Sequence, residues 1–459
     1  MSKFNEFTFK LLEALATVDI SPLMTSRLLY VYFSTLYNCL SFFDKTIITT
    51  DDFPKNNLSY TFNMNYNYFI LEFLIPDLST KYLKNYFKDF DFMAWFGLGE
   101  SYIYFKNVNK KSLDDITNIL TGYSNNRYND GWLDANKQVP LPNNDFFITT
   151  NAKQDNIPKS GWCPLDINGV KQTPLNPQAN LITPVINNFY QEEFIKEYNF
   201  ISQEQKNQEY IDVFKTSLSL TDEQKAIAEF WAAGPKTVKP AGFWIFFMYV
   251  VFLNSDGKYS YQDIVKYYFI LSASMFQAGL SVWNIKYNLF EQRPIQYIRG
   301  SMTEIEMENY FFPDIKTSKL WLPYQKRTFV TPPFPDYVSG HSSFSSSACE
   351  VFSRTVGDCM LTQNLEVEGS KLVILSSLFK KYHDKIMSLT CINVYPKTSD
   401  VVSTDPTKMV NLQFNTWNNM AIQAGESRIY GGIHIASSNY PGMIVCKKIC
   451  ADLFDYFKL

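Results

Sequence analysis

The chain has 459 residues, enough for roughly two or three ordinary domains or for one large core. Its 42 Lys+Arg against 45 Asp+Glu leave a formal net charge of -3, which removes the electrostatic case for a general nucleic-acid binder. Hydrophobic residues at 46% exclude a disordered chain, and only 3 histidines exclude a multi-His zinc or iron site.

Taken in chain order, residues 1–14 alternate Lys, Glu and Asn with Phe and Leu, so no cleaved signal peptide is expected. Helical periodicity runs over 5–45 (Phe9, Leu12, Ala16, then Leu28, Tyr32, Leu36), broken at Ser21-Pro22. Further helices are expected at 68–96 and 111–122. From 126 to 190 Asn, Pro, Gly and Gln dominate and periodicity disappears, as in a functional cover or an interdomain crossing. Helical patterns return at 190–205, at 221–233 behind a Ser219 or Thr221 cap, at 241–253 and at 261–292. The apolar run at 241–253 is too short for a bilayer, which takes ~20 residues, and reads as a buried helix. An irregular segment at 294–338 leads to helices at 340–356, 368–388, 408–430 and 440–457. The 7 cysteines are scattered without a CxxC pair, which suggests free thiols in a reducing compartment. The expected fold is all-α: an N-terminal helical bundle over 1–125, an irregular connection over 126–190 and a C-terminal bundle over 191–459, in a soluble, cytoplasmic protein.

Several core-facing stripes end in charge. On 261–292 the stripe Ile264, Tyr268, Leu271, Met275, Val282 continues to Lys286 and then Arg293, where Pro294 should stop the helix and present the guanidinium from its end. On 408–430 the stripe Phe414, Trp417, Ala421, Ala424 leads to Arg428. On the helix starting near 340, Phe344, Ala348 and Val351 point back to His341. A single such residue reads as a snorkelling side chain or an end-of-helix ion pair. Clustered together they repel, by about 4 kcal/mol for like charges 4 Å apart at an effective dielectric of 20, and need an anion. Glu426, Glu291 and Asp336 are candidates for part of it, and a bound oxyanion is the competing idea. Ser339-Gly340-His341, where a proline-rich loop enters a helix, offers Ser339 as N-cap and a Gly340 amide that can face such a ligand. Gly431-Gly432 should break the following helix and let His434 rejoin Arg428.

In these residues the chain resembles the vanadium-dependent haloperoxidases and the type 2 phosphatidic acid phosphatase-like acid phosphatases. The resemblance is carried by Lys286-x6-Arg293-Pro294, Ser339-Gly340-His341 and Ser427-Arg428-x5-His434. It extends more loosely through Pro22…Arg27, Asp130-Gly131, Trp162-x-Pro164-Leu165 and Phe230-Trp231. The resemblance implies vanadate as cofactor, with phosphate as a competing occupant, held by Lys286, Arg293, Ser339, Gly340 and Arg428. It implies His434 as the axial vanadium ligand, or as the phosphorylated residue of a phosphatase, and His341 as general acid–base. Trp283 and Phe334 match the aromatic positions of a chloroperoxidase-like halide pocket and favour the soluble haloperoxidase branch, whose substrates are hydrogen peroxide and halide. The alternatives are a phosphomonoesterase acting on a small phosphoester and a degenerate member kept for binding.

Three positions depart from the pattern. Val338 replaces the usual proline before Ser-Gly-His, and the acid expected near Phe230-Trp231 is missing at Ala233 and Gly234. Ser438 stands where the family often has an Asp four residues after the axial histidine, so the hydrogen bond that orients His434 is expected from elsewhere, such as a backbone carbonyl. Other candidates weaken on inspection. Gly257-Lys258 lacks phosphate-loop spacing, the serines at 342–347 read as tight packing behind His341, and His383 sits among charges as on a solvated face.

Overall fold

A computed structural model describes residues 3–55, 110–137, 148–149, 161–167, 169–235, 237–253, 255, 257–302, 321–358, 364–367, 391–394 and 410–459. These residues are mostly helical, as the periodicity predicts. The helices expected at 68–96 and 368–388, and with the latter His383, lie outside the described residues.

The break at Ser21-Pro22 separates α1 (Lys3–Thr17) from α2 (Pro22–Leu40). Ser21 caps α2 by accepting from the Met24 amide, and Pro22 starts the helix where a missing N–H costs nothing. The chain continues through α3 (Lys110–Tyr128), α4 (Gln191–Asn199), α5 (Gln203–Leu218) and α6 (Asp222–Phe230). The single helix expected over 190–205 is thus two, because Ser202 turns extended and caps α5 through the Gln205 amide. Thr221 closes a capping box with Gln224 at the start of α6. Next come α7 (Lys239–Leu253) and α8 (Tyr261–Leu289), then the short α9 (Pro294–Gly300). The last helices are α10 (Gly340–Thr355), α11 (Trp417–Tyr430) and α12 (Ala436–Phe457). The helix expected from 408 begins only at Trp417. Thr416 caps it, and residues 410–413 form β6 (Val410–Gln413), antiparallel to β5 (Cys391–Val394), which is parallel to β4 (Asn364–Val367). A second small sheet orders β1 (Ile148–Thr149), β2 (Leu165–Ile167) and β3 (Val170–Lys171).

α8 is the axis of the molecule. It packs on α2, α7, α10 and α12, and α10 packs in turn on α11 and α12. α7 is buried on every side, which is why its sequence shows no amphipathic stripe. No helix among the described residues is long and apolar enough to cross a membrane. The principal core is continuous from Phe7 in α1 to Phe457 in α12. A second cluster joins Tyr210 and Phe214 of α5, Ile295 and Ile298 of α9, Trp321, Val330 and Ile435.

The described part of the irregular segment is fastened along α8. Gln277 accepts from the amides of Val185 and Ile186 and donates to the Asn188 carbonyl, while the Leu175 amide donates to Pro333. Its upstream end is held by Arg27 on α2, whose guanidinium donates to the Asp130 carboxylate at 2.9 Å. Gly131 must be glycine there, since at φ +89 a Cβ would strike the Leu181 carbonyl oxygen. Cys39, Cys163, Cys349, Cys446 and Cys450 are buried and free.

Candidate active site

Four segments converge between the two hydrophobic clusters: the end of α8 with the following turn, the loop 332–339 with the first turn of α10, the end of α11, and the turn 431–435. α8 stops at Leu289, earlier than expected, because Phe290 adopts a left-handed cap at φ 50. Arg293 is therefore not the end of α8. It is the extended N-cap residue of α9, with Pro294 as the first helical residue.

The cations and His434 are enclosed: Lys286 and Arg293 are 0% exposed, Arg428 1% and His434 2%, so none of the cations snorkels. Their charge is spread first over backbone carbonyls. Lys286 Nζ donates to Pro335 and Asp336, both at 2.8 Å, and Arg293 Nε donates to Phe334 at 2.9 Å. Three consecutive carbonyls of the proline-rich loop thus point at cations, an arrangement that prolines favour because they have no N–H to pair in a ladder. Arg293 Nη1 also donates to Ile433 O at 2.6 Å, and Arg428 Nη2 to Ala228 O at 2.8 Å. Lys286 and Arg293 stand 5.1 Å over the Phe334 ring, which lies 4.9 Å from that of Trp283.

Among the described residues one carboxylate enters the cluster, and it is the one from the loop. Asp336 Oδ1 accepts from His434 Nδ1. The other two candidates do not reach it: Glu291 is taken by Lys206, Tyr198 and Tyr210, and Glu426 is only half-buried, on α11. The hydrogen bond that orients His434 thus comes from elsewhere than position 438, and its acceptor is a buried acid instead of a backbone carbonyl. Asp336 is the site residue that the sequence marks least. It lies in a loop without periodicity, and its place between Pro335 and the Ser-Gly-His turn was the available signal.

The hydrogen bonds assign both imidazole tautomers. His434 Nε2 lies 3.2 Å from Arg293 Nη1, which can only donate, so Nε2 holds the lone pair and Nδ1 the proton that Asp336 accepts. His341 Nε2 lies 2.7 Å from the Trp231 carbonyl, so Nε2 carries the proton and Nδ1 is the free base. Burial, then Arg293, Lys286 and Arg428, hold His434 well below the ordinary imidazole value. Burial and then Arg428 do the same to His341. Burial raises Asp336 to about 6 against the pull of Arg293 and Lys286.

Ser339 stands at the N-cap of α10, but its side chain makes no capping bond. Its Oγ and Arg293 Nη2 are buried and make no hydrogen bond among the described residues. Surplus buried positive charge, two idle donors and the amides of the first turn of α10 fit a small oxyanion. A cavity of about 610 Å³ opens onto this point, lined by His341, His434, Arg428, Gly340, Trp283 and Phe334 among others.

The helix breaks where the paired glycines predict. Gly432 turns at φ +68, with a Cβ position 2.8 Å from Pro323 Cβ, which returns His434 to the cluster. Gly432→Ala should lower stability by about 1–3 kcal/mol, read as a fall in the urea midpoint. The serines behind His341 are all buried. Gly425 and Gly442 press on Ser342 and Ser343 so closely that a Cβ at either would sit under 3.0 Å from a serine oxygen.

The comparisons agree with this fold. Residues 266–458 match the family model described as the VCPO second helical-bundle domain. Among solved structures, the first bacterial vanadium-dependent iodoperoxidase is 16% identical with a TM-score of 0.64, covering 99% of this chain and 95% of its own. A holo-type bacterial vanadium-dependent chloroperoxidase is 14% identical with a TM-score of 0.61, covering 97% and 93%. No curated protein sequence matches. Residues 266–458 thus match a VCPO second helical-bundle domain, and the chain shares the helical fold of these bacterial vanadium-dependent haloperoxidases along almost its whole length.

Proposed function

We propose that the protein is a vanadate-dependent haloperoxidase that uses hydrogen peroxide to oxidise halide to a hypohalous-acid-type species. The observation that carries this reading is the enclosed cationic cluster facing a histidine whose Nε2 lone pair is held ready by Asp336. Lys286, Arg293 and Arg428 would hold vanadate, with Ser339 Oγ and the Gly340 amide as further donors and His434 Nε2 as the ligand nitrogen. When bound, vanadate supplies the centre at which peroxide is activated toward halide. His341 Nδ1, unprotonated and on the cavity wall, would be placed to take up a proton from a bound reactant and to return it. Trp283 and Phe334 would wall the halide with aromatic edges beside the cations. The buried charges are fixed before the anion arrives, so little reorganisation is spent at the moment of reaction.

The free Nε2 of His434 also favours a second reading, a phosphomonoesterase in which that nitrogen attacks phosphorus and His341, after taking up a proton at Nδ1, passes it to the leaving alcohol. Orthovanadate-loaded protein should halogenate monochlorodimedone when given peroxide with chloride, bromide or iodide, and lose this in His434→Ala. Inactivity with every halide across pH 4–9, together with p-nitrophenyl phosphate hydrolysis that needs His434, would replace the first reading by the second.

A further inference from the structure

The resemblance puts an aspartate at position 438, and the chain has Ser438. A carboxylate nevertheless meets His434, and it comes from the loop before α10 instead of from α12. Asp336 and Ser438 are both 0% exposed. Their segments are tied together, since the Ser339 amide donates to the Ser438 carbonyl at 2.8 Å. The nearby Ser438 hydroxyl and Ile435 backbone favour the charged form of Asp336, while Ser438 Oγ and Asp336 Oδ2 are both buried and make no hydrogen bond among the described residues. Asp336 is steadied from behind by its own amide, which donates to the Glu291 carbonyl at 2.9 Å. Two carboxylates here would be buried against each other and could not both ionise. A serine at 438 gives the carboxylate at 336 a hydroxyl neighbour instead of a rival.

We propose that Asp336 has taken over the place of the missing carboxylate at 438 and acts as the positioning residue that holds His434 in the Nδ1–H tautomer, with Nε2 free toward the oxyanion. This rests on the oxyanion-site reading above. Neutral imidazole in water does not favour Nδ1–H, so the assignment needs a fixed acceptor at Nδ1. Asp336 is that acceptor, and Arg293 Nη1, which cannot accept, guards the other nitrogen.

The chain's 3 histidines make the test direct, because selective ¹⁵N-histidine labelling yields one ring pattern each for His341, His383 and His434. His341→Gln and His383→Gln assign the remaining one. Long-range ¹H–¹⁵N spectra of the wild type should show His434 as Nδ1–H, Asp336→Ala should lose that preference, and Asp336→Ala/Ser438→Asp should regain it. Vanadate draws on the ring lone pair and phosphate does not. The ratio of orthovanadate to phosphate affinity should therefore fall about 10–100-fold in Asp336→Ala and recover in the double variant. A wild-type His434 in the Nε2–H form would overturn the proposal, as would an Asp336→Ala spectrum unchanged from wild type or a double variant that fails to regain Nδ1–H. If Asp336→Ala does not fold, the wild-type and double-variant spectra still decide. If the tautomer shifts and recovers while the wild type binds neither anion, the positioning role stands and the oxyanion reading falls.

Discussion

Arg428→Met is expected to weaken oxyanion binding by at least about 100-fold while leaving the anion-free protein as stable as the wild type or slightly more so. Arg428 is 1% exposed, and among the described residues no carboxylate pairs with it. Among the described residues its partners are the Ala228 carbonyl at 2.8 Å, the Ser427 hydroxyl at 2.9 Å and, at 3.5 Å, the Ala232 carbonyl, and burial lowers its proton affinity. A buried cation without a counter-ion costs several kcal/mol. Methionine keeps much of the volume and removes that cost. It leaves a carbonyl and a hydroxyl short of a partner, about 1–3 kcal/mol in the other direction, so the two effects nearly cancel. With the anion bound they no longer cancel. One or two charge-assisted hydrogen bonds at about 1.5–3 kcal/mol each disappear, and each 1.4 kcal/mol is tenfold in Kd. Thermal melts with and without phosphate or orthovanadate, together with calorimetric titration, separate the cases. Wild type at 100 times Kd should gain about 2.7 kcal/mol, and Arg428→Met almost nothing at the same concentration. A variant that melts far below the wild type in plain buffer yet keeps its Kd would make Arg428 a structural tie between α11 and α6.

Periodicity sufficed wherever a site residue extends a helical stripe. Lys286, His341 and Arg428 lie on α8, α10 and α11, where a period near 3.6 carries the core face onto them, and the structure buries or half-buries all three. Glycine chemistry sufficed at Gly432, where a left-handed turn needs the missing Cβ. Pattern reasoning failed where tertiary contacts decide. The end of α8 at Leu289 depends on Phe290 taking a left-handed conformation, in which its ring meets Tyr287. The stretch 408–416 carries helix-compatible residues, yet Val410–Gln413 finds a strand partner remote in sequence. Asp336 was one acid of three near the site. Only the folded loop shows that Glu291 is already engaged by Lys206 and two tyrosines, and that Asp336 faces His434. A loop has no repeat from which to read the direction of a side chain, and for that reason the acid was the hardest part of the site to read.

Lys286 should make oxyanion affinity fall with rising pH well before a free lysine would titrate. Burial, and next the neighbouring Arg293, lower its pKa well below the ordinary 10.5, against the opposing pull of Asp336. The guanidiniums keep their protons more firmly than a buried ammonium does, so the lysine is the first of the three cations to discharge. An anion binds the charged form. Above the depressed value, binding must therefore take up a proton, and log K should fall toward one unit per pH unit. Inorganic phosphate remains a dianion between pH 8 and 10, so the slope belongs to the protein. Stability without anion should move the opposite way. In this window the unfolded chain holds the lysine proton and the folded one releases it, so unfolding takes up a proton and stability from this residue rises with pH up to the unfolded value. The buried tyrosines, raised above 10, reverse that trend once unfolded tyrosine ionises, which confines the comparison to pH 8–9.5. Lys286→Met should bind phosphate more weakly at pH 8 and with a flat pH dependence, so that wild type and variant converge as pH rises. Parallel slopes in the two proteins would mean that Lys286 stays charged throughout and that another group sets the alkaline limb.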